Sequence, residues 1–543
     1  MELLSLRKQD VPILSENFTY TYTGPDIQNQ ILEVISSEIT SIIVEECKDK
    51  PFSIIADETP DVSNDEQVAI IIGYVSDSLE IIERFVRLSK IESTTGAELE
   101  KLILSVLKGL GLSSESFLVA QGYDGGSNMS GEFKGVASRI RKNIPRAMYV
   151  NCHCHKLNLA LSDALNLLTS ARNCLGTVNS LYTFIEGSAK RHAIFLNSQL
   201  TNKATTVKRV DGTRWSSRER AVTSLVETYV FVLDTLSYIS YTDNSESGAM
   251  SKSLLKAIEE FEFQFMLRLL DLVFERVGIL SDALQSPEIE MDRCSRLLQT
   301  TLESLAELLN DDAFNILYEE SIAFAKENSM GQPKLPRRTR IPNKFKDTLK
   351  ECETFASTEE RFKSIYYETI TKVIDEISTR FENESLAPLL QIERILKGTS
   401  EENDLISISK LNYYNNMIKF DHLKAELISW KQYLKIRSND RKYDLSTISD
   451  ISRLIRDEKL IRDYPNLEFL LRIYLTIPIT SVSAERSFSA LKRIKTYLRN
   501  TIRQTRLTSL ALIHIEKELS NSLDFNKLID KFASIINRRM YFF

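Results

Sequence analysis

The chain has 543 residues, a formal net charge of −6, and a composition that is 43% hydrophobic and 27% charged. At roughly 100 to 200 residues per domain it accommodates two to four globular domains, which excludes a peptide, a fibrous repeat and wholesale disorder. The longest apolar stretch, residues 68–75, is far shorter than the roughly 20 residues that span a bilayer, so we expect no membrane partner. The N-terminal residues lack the pattern of a secretory signal, and six cysteines are too sparse for a disulfide scaffold.

Glycine is concentrated in the first two-fifths of the sequence, where Gly212 is the thirteenth of 17. Changes of hydrophobic period in that part predict alternating helices and strands. The predicted helices are 26–47, 95–110, 132–143 and 155–168, and the predicted strands are 52–57, 67–75, 81–91, 117–123 and 147–152. Three strands joined by short turns form an antiparallel meander, and each later strand follows a helix and so joins in parallel. The order βββαβαβα is that of the ribonuclease H-like fold, in which the first and fourth strands are neighbours.

The remainder of the chain has long helical patterns and few glycines. We therefore expect an α/β protein that is predominantly helical overall, with a ribonuclease H-like core interrupted by a large all-helical insertion. The predicted segments are a helical lead-in at 1–50, the first part of the core at 51–216, the insertion at 217–464, and the rest of the core at 465–543.

Two aspartates end predicted strands that should be neighbours. Asp57 ends the first strand, in FSIIADET, and Asp124 ends the fourth, in LVAQGYDGGSN. Parallel neighbours bring both carboxylates to one edge of the sheet, where they repel each other unless cations lie between them. Divalent metals such as Mg²⁺ bind such oxygens and support phosphoryl transfer. Taken alone, each acid is more often a turn or cap residue than a metal ligand, and only the combination with strand order favours a metal site.

Glu485, in TSVSAERSFSALKR, is the candidate for the third acid that such sites usually need. It falls in the first turn of a predicted helix, where it could instead merely complement the helix dipole. A capping box does not explain it, because the residue three positions earlier is Val482 rather than Ser or Thr.

The run Asn151-Cys152-His153-Cys154-His155 offers four potential metal donors in succession. Consecutive donors cannot surround one tetrahedral zinc, whose ligands are normally separated by two or more residues. We expect packing or support of the acidic edge instead.

Positive charge gathers in two segments that contain no acid. These hold Lys334, Arg337, Arg338, Arg340, Lys344 and Lys346, and Arg486, Lys492, Arg493, Lys495, Arg499, Arg503 and Arg506. They indicate either polyanion binding or a solvated helix face and a basic loop. Trp215, beside Arg214 in DGTRWSSRER, suits base stacking with phosphate contacts, although core packing is the usual role of a lone tryptophan.

Taken together, these segments resemble the hAT superfamily of cut-and-paste DNA transposases, in particular the branch related to zinc finger MYM-type proteins. The resemblance covers nearly the whole chain and rests on FSIIADETPDVSNDEQ, QGYDGGSNMSG, the Cys-x-x-His of Cys152 and His155, TRWSS, and IPITSVSAERSFSALKRIKTYLRNTI, which is similar to the family's C-terminal dimerisation signature.

The resemblance implies that Asp57, Asp124 and Glu485 are the catalytic acids and bind Mg²⁺ or Mn²⁺. It further implies that Trp215 stacks on a flipped base and that Cys152 and His155 lie near the site. It implies DNA as partner, with contacts from Trp215, Arg214, Arg337, Arg338, Arg340, Lys492, Arg493, Lys495 and Arg499. A homodimer or higher homo-oligomer through the C-terminal region and a nuclear location follow from the same resemblance.

Two hypotheses remain open at this level, because no Cys/His cluster of the family's N-terminal finger type precedes Cys47. One is a metal-dependent DNA transposase, or a truncated copy with its catalytic domain. The other is a domesticated or truncated inactive relative, acting as a dimerising DNA-associated or protein-interaction factor. A helical scaffold unrelated to DNA would require the acidic triad to be a coincidence.

Overall fold

The computed structural model describes residues 24–112, 117–199, 205–210, 215–286, 291–335, 355–381, 387–400, 418–437, 443 and 445–535. The chain divides into two compact units. The sheet unit comprises Met1–Cys152 and Ser385–Phe543, and the helical unit comprises His153–Glu384. The predicted boundaries at 217 and 464 do not coincide with this division. Helical periodicity shows which face of a helix is buried but not which neighbour buries it.

The helices of the described residues are numbered here in chain order. They are α1 Pro25–Cys47, α2 Gly96–Gly109, α3 Ser127–Ser130, α4 Val136–Asn143, α5 His153–Leu167, α6 Thr169–Glu186, α7 Ala189–Ser198, α8 Trp215–Thr242, α9 Glu246–Ile258, α10 Phe261–Leu284, α11 Met291–Ala306, α12 Asp311–Glu327, α13 Thr358–Phe381, α14 Ala387–Leu396, α15 Phe420–Arg437, α16 Ile448–Asp457, α17 Pro465–Thr476, α18 Val482–Ile494, α19 Gln504–Ile515, α20 Lys517–Ser522 and α21 Phe525–Ile535.

The sheet unit contains a mixed five-stranded sheet. Its strands are β1 Phe52–Pro60, β2 Glu66–Val75, β3 Ile81–Ile91, β4 Leu118–Tyr123 and β5 Met148–Asn151. Their spatial order is β3-β2-β1-β4-β5, with β1 and β3 antiparallel to β2, and β4 parallel to both β1 and β5. The predicted meander, the parallel additions and the adjacency of the first and fourth strands are confirmed.

The sheet is covered on both faces, as its sequence indicates. β2 reads EQVAIIIGYV and is buried from Gln67 to Val75, which is the continuous apolar pattern of a two-sided buried strand. Side chains of α1, α2, α4, α18 and α19 form one hydrophobic core with the strands. Residues near both ends of the sheet unit's sequence therefore build the same core.

Helix α1 is tied to the C-terminal helices by polar contacts. Glu38, only 5% exposed, accepts from Lys527 and Lys531 of α21, and Ser36 Oγ lies 3.0 Å from Ser509 Oγ of α19. The two sequence-distant parts of the sheet unit thus interlock.

The helical unit packs around α10, whose Phe265, Leu269, Val273 and Phe274 have no exposed surface. Residues Ser217–Thr242 of α8 are long and apolar enough to cross a bilayer, but half of the most apolar window is buried. Because α8 packs against α9 and α10, this composition is also that of a core helix in a helical bundle.

Candidate active site

The register of β1 and β4 brings two aspartates to the same edge of the sheet. The last parallel pair joins Ala56 to Tyr123, so Asp57 and Asp124 are the residues that directly follow this pair along the chain. Neighbouring strands lie about 4.8 Å apart. β1 nevertheless continues to Pro60, because its antiparallel pairing with β2 extends from Asp57↔Ala69 to Pro60↔Glu66. Asp57 therefore lies inside β1. The sequence pattern had predicted that it ends this strand.

Asp57 is partly buried and surrounded by negative charge. Burial is the largest cause raising its pKa, followed by the carboxylate of Asp124, and Glu485 and Glu58 add smaller effects. The backbone N–H of Glu58 donates to Asp57 Oδ1 at 2.8 Å and opposes the rise, but the resulting pKa is still about 8. The pKa of Asp57 thus responds to the charges of both Asp124 and Glu485.

Asp124 is held by a tight turn after β4. The Gly126 N–H donates to Asp124 Oδ1 at 3.2 Å. A Cβ at Gly126 would lie 3.1 Å from that oxygen, so the absence of a side chain leaves room for the turn. The other oxygen of Asp124 has no hydrogen-bond partner among the described residues.

Glu485 lies in the first turn of α18, which contacts β1, β2 and β3. The start of this helix is fixed by two contacts, since Ser483 donates to Glu83 of β3 and the Ser481 N–H donates to Cys152 Sγ at 3.4 Å. Upstream, a Cβ at Gly122 would lie 2.7 Å from Pro478 Cγ, so glycine permits this close approach to β4. The sheet thus sets the position of Glu485.

Glu58 is an acid that the sequence reasoning missed. Its Oε2 is buried and has no hydrogen-bond partner in the described structure. Burial and the Asp124 carboxylate raise its pKa to about 6, while Asn128 partly offsets them. The sequence places it directly after Asp57, which could have indicated a role at the site. Adjacent side chains of a strand point to opposite faces, however, so Glu58 was not expected to lie near the other acids.

The donor types at this edge fit a divalent cation, since carboxylate oxygens are the ligands that Mg²⁺ and Mn²⁺ prefer. The orphaned Glu58 oxygen and the mutual repulsion around Asp57 are both conditions that a cation would relieve. Among the described residues, however, no group of three or more acidic, histidine or cysteine side chains is placed to hold a metal.

The two residues predicted to support the site lie in different units. Cys152 is buried in the sheet unit, where its sulfur accepts from the loop before Glu485. His155 lies in the first turn of α5 in the helical unit. Cys152 is thus linked to the segment that leads into α18 and Glu485.

The predicted DNA-contacting residues have different surroundings. Lys492, Arg493 and Arg499 are exposed. Lys495 is instead 3% exposed, with Nζ 2.5 Å from Asp61 Oδ2 and 3.5 Å from Asp65 Oδ2. The prediction for Lys495 was therefore wrong, because a run of positive charge does not show which member turns inward. Arg214, Arg337, Arg338 and Arg340 lie outside the described residues, as does the side chain of Trp215, the first residue of α8.

Comparison with known proteins identifies two regions of the chain. Residues 8–135 match the family model for the ZMYM1/FAM200 RNase-like domain, and residues 432–519 match the hAT family C-terminal dimerisation region. The latter match begins before the predicted start at 465. Asp57 and Asp124 fall in the first region and Glu485 in the second.

Two curated proteins match along most of the chain. Both are named "52 kDa repressor of the inhibitor of the protein kinase". The protein from Mus musculus is 25% identical over 530 residues, covering 94% of this chain and 68% of the relative. The protein from Homo sapiens is 25% identical over 525 residues, covering 94% and 67%. These matches show that the chain contains a region similar to the ZMYM1/FAM200 RNase-like domain and a region similar to the hAT family C-terminal dimerisation region.

Proposed function

We propose that the sheet unit is a ribonuclease H-like catalytic core of the hAT transposase kind, which cleaves and transfers DNA strands with the help of divalent metal ions. The observation that carries this proposal is the placement of Asp57 and Asp124 one residue beyond the last paired residues of adjacent parallel strands, with Glu485 close enough to affect the pKa of Asp57. The helical unit is the corresponding insertion.

The acids have separate tasks in this proposal. Backbone N–H groups hold one oxygen each of Asp57 and Asp124. This fixes both carboxylates and leaves the second oxygen of each available to a cation. A bound Mg²⁺ or Mn²⁺ would supply the positive charge that phosphoryl transfer requires. Glu485 would be the third metal ligand. The sheet holds the start of α18 in place, so only the side chain of Glu485 would need to rotate to reach the metal.

DNA is the proposed partner, and the nucleus is the proposed location. Exposed Lys492, Arg493 and Arg499 would contact phosphates, and such binding weakens steeply with increasing salt. The dimerisation region supports self-association of the chain, and a dimer would bring together two copies of the site.

The test is Mg²⁺-dependent nicking of supercoiled plasmid, and strand transfer from an oligonucleotide with a free 3′ hydroxyl, by the purified full chain. Asp57→Asn should reduce both by more than the 10- to 100-fold typical for residues that only support metal ligands. Asp530→Asn changes an exposed aspartate of the same unit and should leave the activity unchanged. Absence of Mg²⁺-dependent activity in the wild type, or its survival in Asp57→Asn, would overturn the proposal.

A second candidate is a dimerising DNA-associated or protein-interaction factor without catalysis. Two observations favour it: the relatives are named as repressors, and the described residues contain no complete set of metal donors. Under this alternative, light scattering would show a dimer, and DNA binding would occur without cleavage. Asp57→Asn would then match the wild type in every assay of function.

A further inference from the structure

An exposed apolar turn follows α18. Tyr497 and Leu498 are 84% and 89% exposed and lie in the short 3-10 helix Tyr497–Arg499. Large apolar side chains on a surface are common singly, but two adjacent ones at the tip of a loop indicate an interaction site. We call residues 496–503 the tip loop.

The tip loop is anchored on both sides to the sheet. Before it, Lys495 and Asp61 form an ion pair whose side chains are 4% and 1% exposed. Within it, Ser63 Oγ donates to the Asn500 carbonyl at 3.2 Å. After it, Gln504 Nε2 donates to Gln67 Oε1 at 3.1 Å and to the Leu88 carbonyl at 3.0 Å. The exposure of Tyr497 and Leu498 is therefore imposed by a fixed backbone.

Positive charge surrounds the tip. Lys492, Arg493, Arg499 and Arg503 are exposed, and none forms an ion pair within the described part of the chain. The nearby acids are already engaged, because Lys495 pairs with Asp61 and Lys90 lies 2.7 Å from Asp65. The surface thus combines an apolar wedge with unneutralised cations.

We propose that the tip loop is a DNA wedge, in which Tyr497 and Leu498 insert against unstacked bases while the four neighbouring cations contact phosphates. Apolar wedges flanked by basic residues kink DNA in this way, and an aromatic ring stacks on any base without sequence preference. DNA as the partner rests on the proposed function.

The position of the anchor relates the wedge to the acids. β1 leads from Asp57 to the anchoring Asp61, roughly 13 Å along an extended strand, which corresponds to about four base-pair steps of DNA. A DNA segment that spans both the anchor of the tip loop and Asp57 would therefore need to be only a few base pairs long.

A second copy of the chain is the other occupant to consider, because the tip loop lies within the matched dimerisation region. In a two-fold contact the same patch faces itself. A tip-to-tip contact would place Lys492, Arg493, Arg499 and Arg503 against their own copies, and these like charges repel. The polyanion is the partner that the charges favour.

The test uses the full chain and a short duplex carrying 2-aminopurine, with EDTA so that no cleavage occurs. Wild-type protein should increase the 2-aminopurine fluorescence, which reports unstacking. Tyr497→Ala with Leu498→Ala should abolish the increase and weaken binding by about 5- to 150-fold, the effect of losing one stacked base. Tyr241→Ala, which removes a 90% exposed tyrosine of the helical unit, should change neither signal.

The variant Arg499→Ala separates the contribution of phosphate contacts from that of base unstacking. This variant should keep the fluorescence increase but reduce the slope of log affinity against log salt by about 1. The double tip variant should leave that slope unchanged. If the double tip variant loses both the fluorescence increase and the salt dependence, it has unfolded, which circular dichroism would show. In that case Tyr497→Phe provides the test, because it keeps the aromatic ring and should retain the fluorescence increase.

The outcomes distinguish this inference from the proposed catalysis. Unstacking by an Asp57→Asn protein that cannot cleave supports the wedge and leaves catalysis to its own test. A wild type that does not unstack the duplex overturns the wedge, and so does a double tip variant that still unstacks DNA. A double variant that binds DNA normally but no longer dimerises in sedimentation identifies the second copy as the occupant and also overturns it.

Discussion

Asp57 lies within β1 and Asp61 lies just after it, four residues further along the chain. The pKa of Asp57 is raised, whereas that of Asp61 is lowered. Asp57 faces other carboxylates, and its pKa is raised by burial and by Asp124. Burial also acts to raise the pKa of Asp61, but Lys495, the Ser63 and Asp65 N–H groups and Gln67 outweigh it, so that pKa lies below its usual value. A buried acid with all its partners supports the fold, whereas one left among like charges is positioned for an external cation.

The largest effect on stability should come from removing the cation that pairs with Asp61. Lys495→Met leaves Asp61 buried without its cation and should lower the free energy of unfolding by about 3 to 5 kcal/mol. Lys492→Met, at an exposed position three residues earlier in the last turn of α18, should have an effect near zero. Urea unfolding of the two variants measures the difference. Equal stabilities would show that the Lys495–Asp61 pair contributes nothing to the fold.

Gly122→Ala tests whether the sheet positions Glu485. Its Cβ would lie 2.7 Å from Pro478 Cγ, and a proline ring cannot move aside, so we expect a loss of about 1 to 3 kcal/mol. Gly109→Ala, where a Cβ meets nothing within 4 Å, provides the control for the substitution itself. Thermal unfolding compares the two, and an unchanged melting temperature for Gly122→Ala would contradict the close contact.

The negative charge around Asp57 predicts that divalent ions stabilise the folded protein. At a free Mg²⁺ concentration about ten times its dissociation constant, binding to the folded state alone should add about 1.4 kcal/mol. Asp57→Asn should remove this gain, whereas Glu518→Gln, which changes an exposed acid, should retain it. Melting temperatures with and without Mg²⁺ measure it, and an equal Mg²⁺ response in Asp57→Asn would place the bound ion elsewhere.

The last prediction concerns the pH dependence of stability. The pKa of Asp57 rises from 3.8 to about 8 on folding, so the folded state retains a proton that the unfolded state has lost. The stability linked to this group is present below about pH 4 and is lost as the pH rises to about 8. Without metal, Asp57→Asn should therefore melt above the wild type at pH 8, and this difference in melting temperature should shrink as the pH falls toward 4. A difference that does not grow with pH would indicate that Asp57 is not surrounded by negative charge.

The sequence was sufficient for the strands and for the pairing of Asp57 with Asp124, because strand order follows from connection type and connection type from hydrophobic period. It was insufficient where the outcome depends on packing between distant segments. Glu58 was missed because strand alternation assigns it to the opposite face from Asp57. Lys495 was misassigned because its acidic partner lies 434 positions away along the chain. The boundary at Cys152 was missed because hydrophobic period does not show into which unit the helix that follows β5 packs.

The interlocking of α1 with α19 and α21 has a consequence for biosynthesis. Since the core of the sheet unit needs residues from both Met1–Cys152 and Ser385–Phe543, it cannot close while His153–Glu384 is still being translated. At 5 to 20 residues per second, the ribosome takes roughly 10 to 50 s to make that intervening segment. During this interval the nascent β-strands have apolar surfaces that only later residues will cover, so a chaperone that shields them should raise the yield of folded protein.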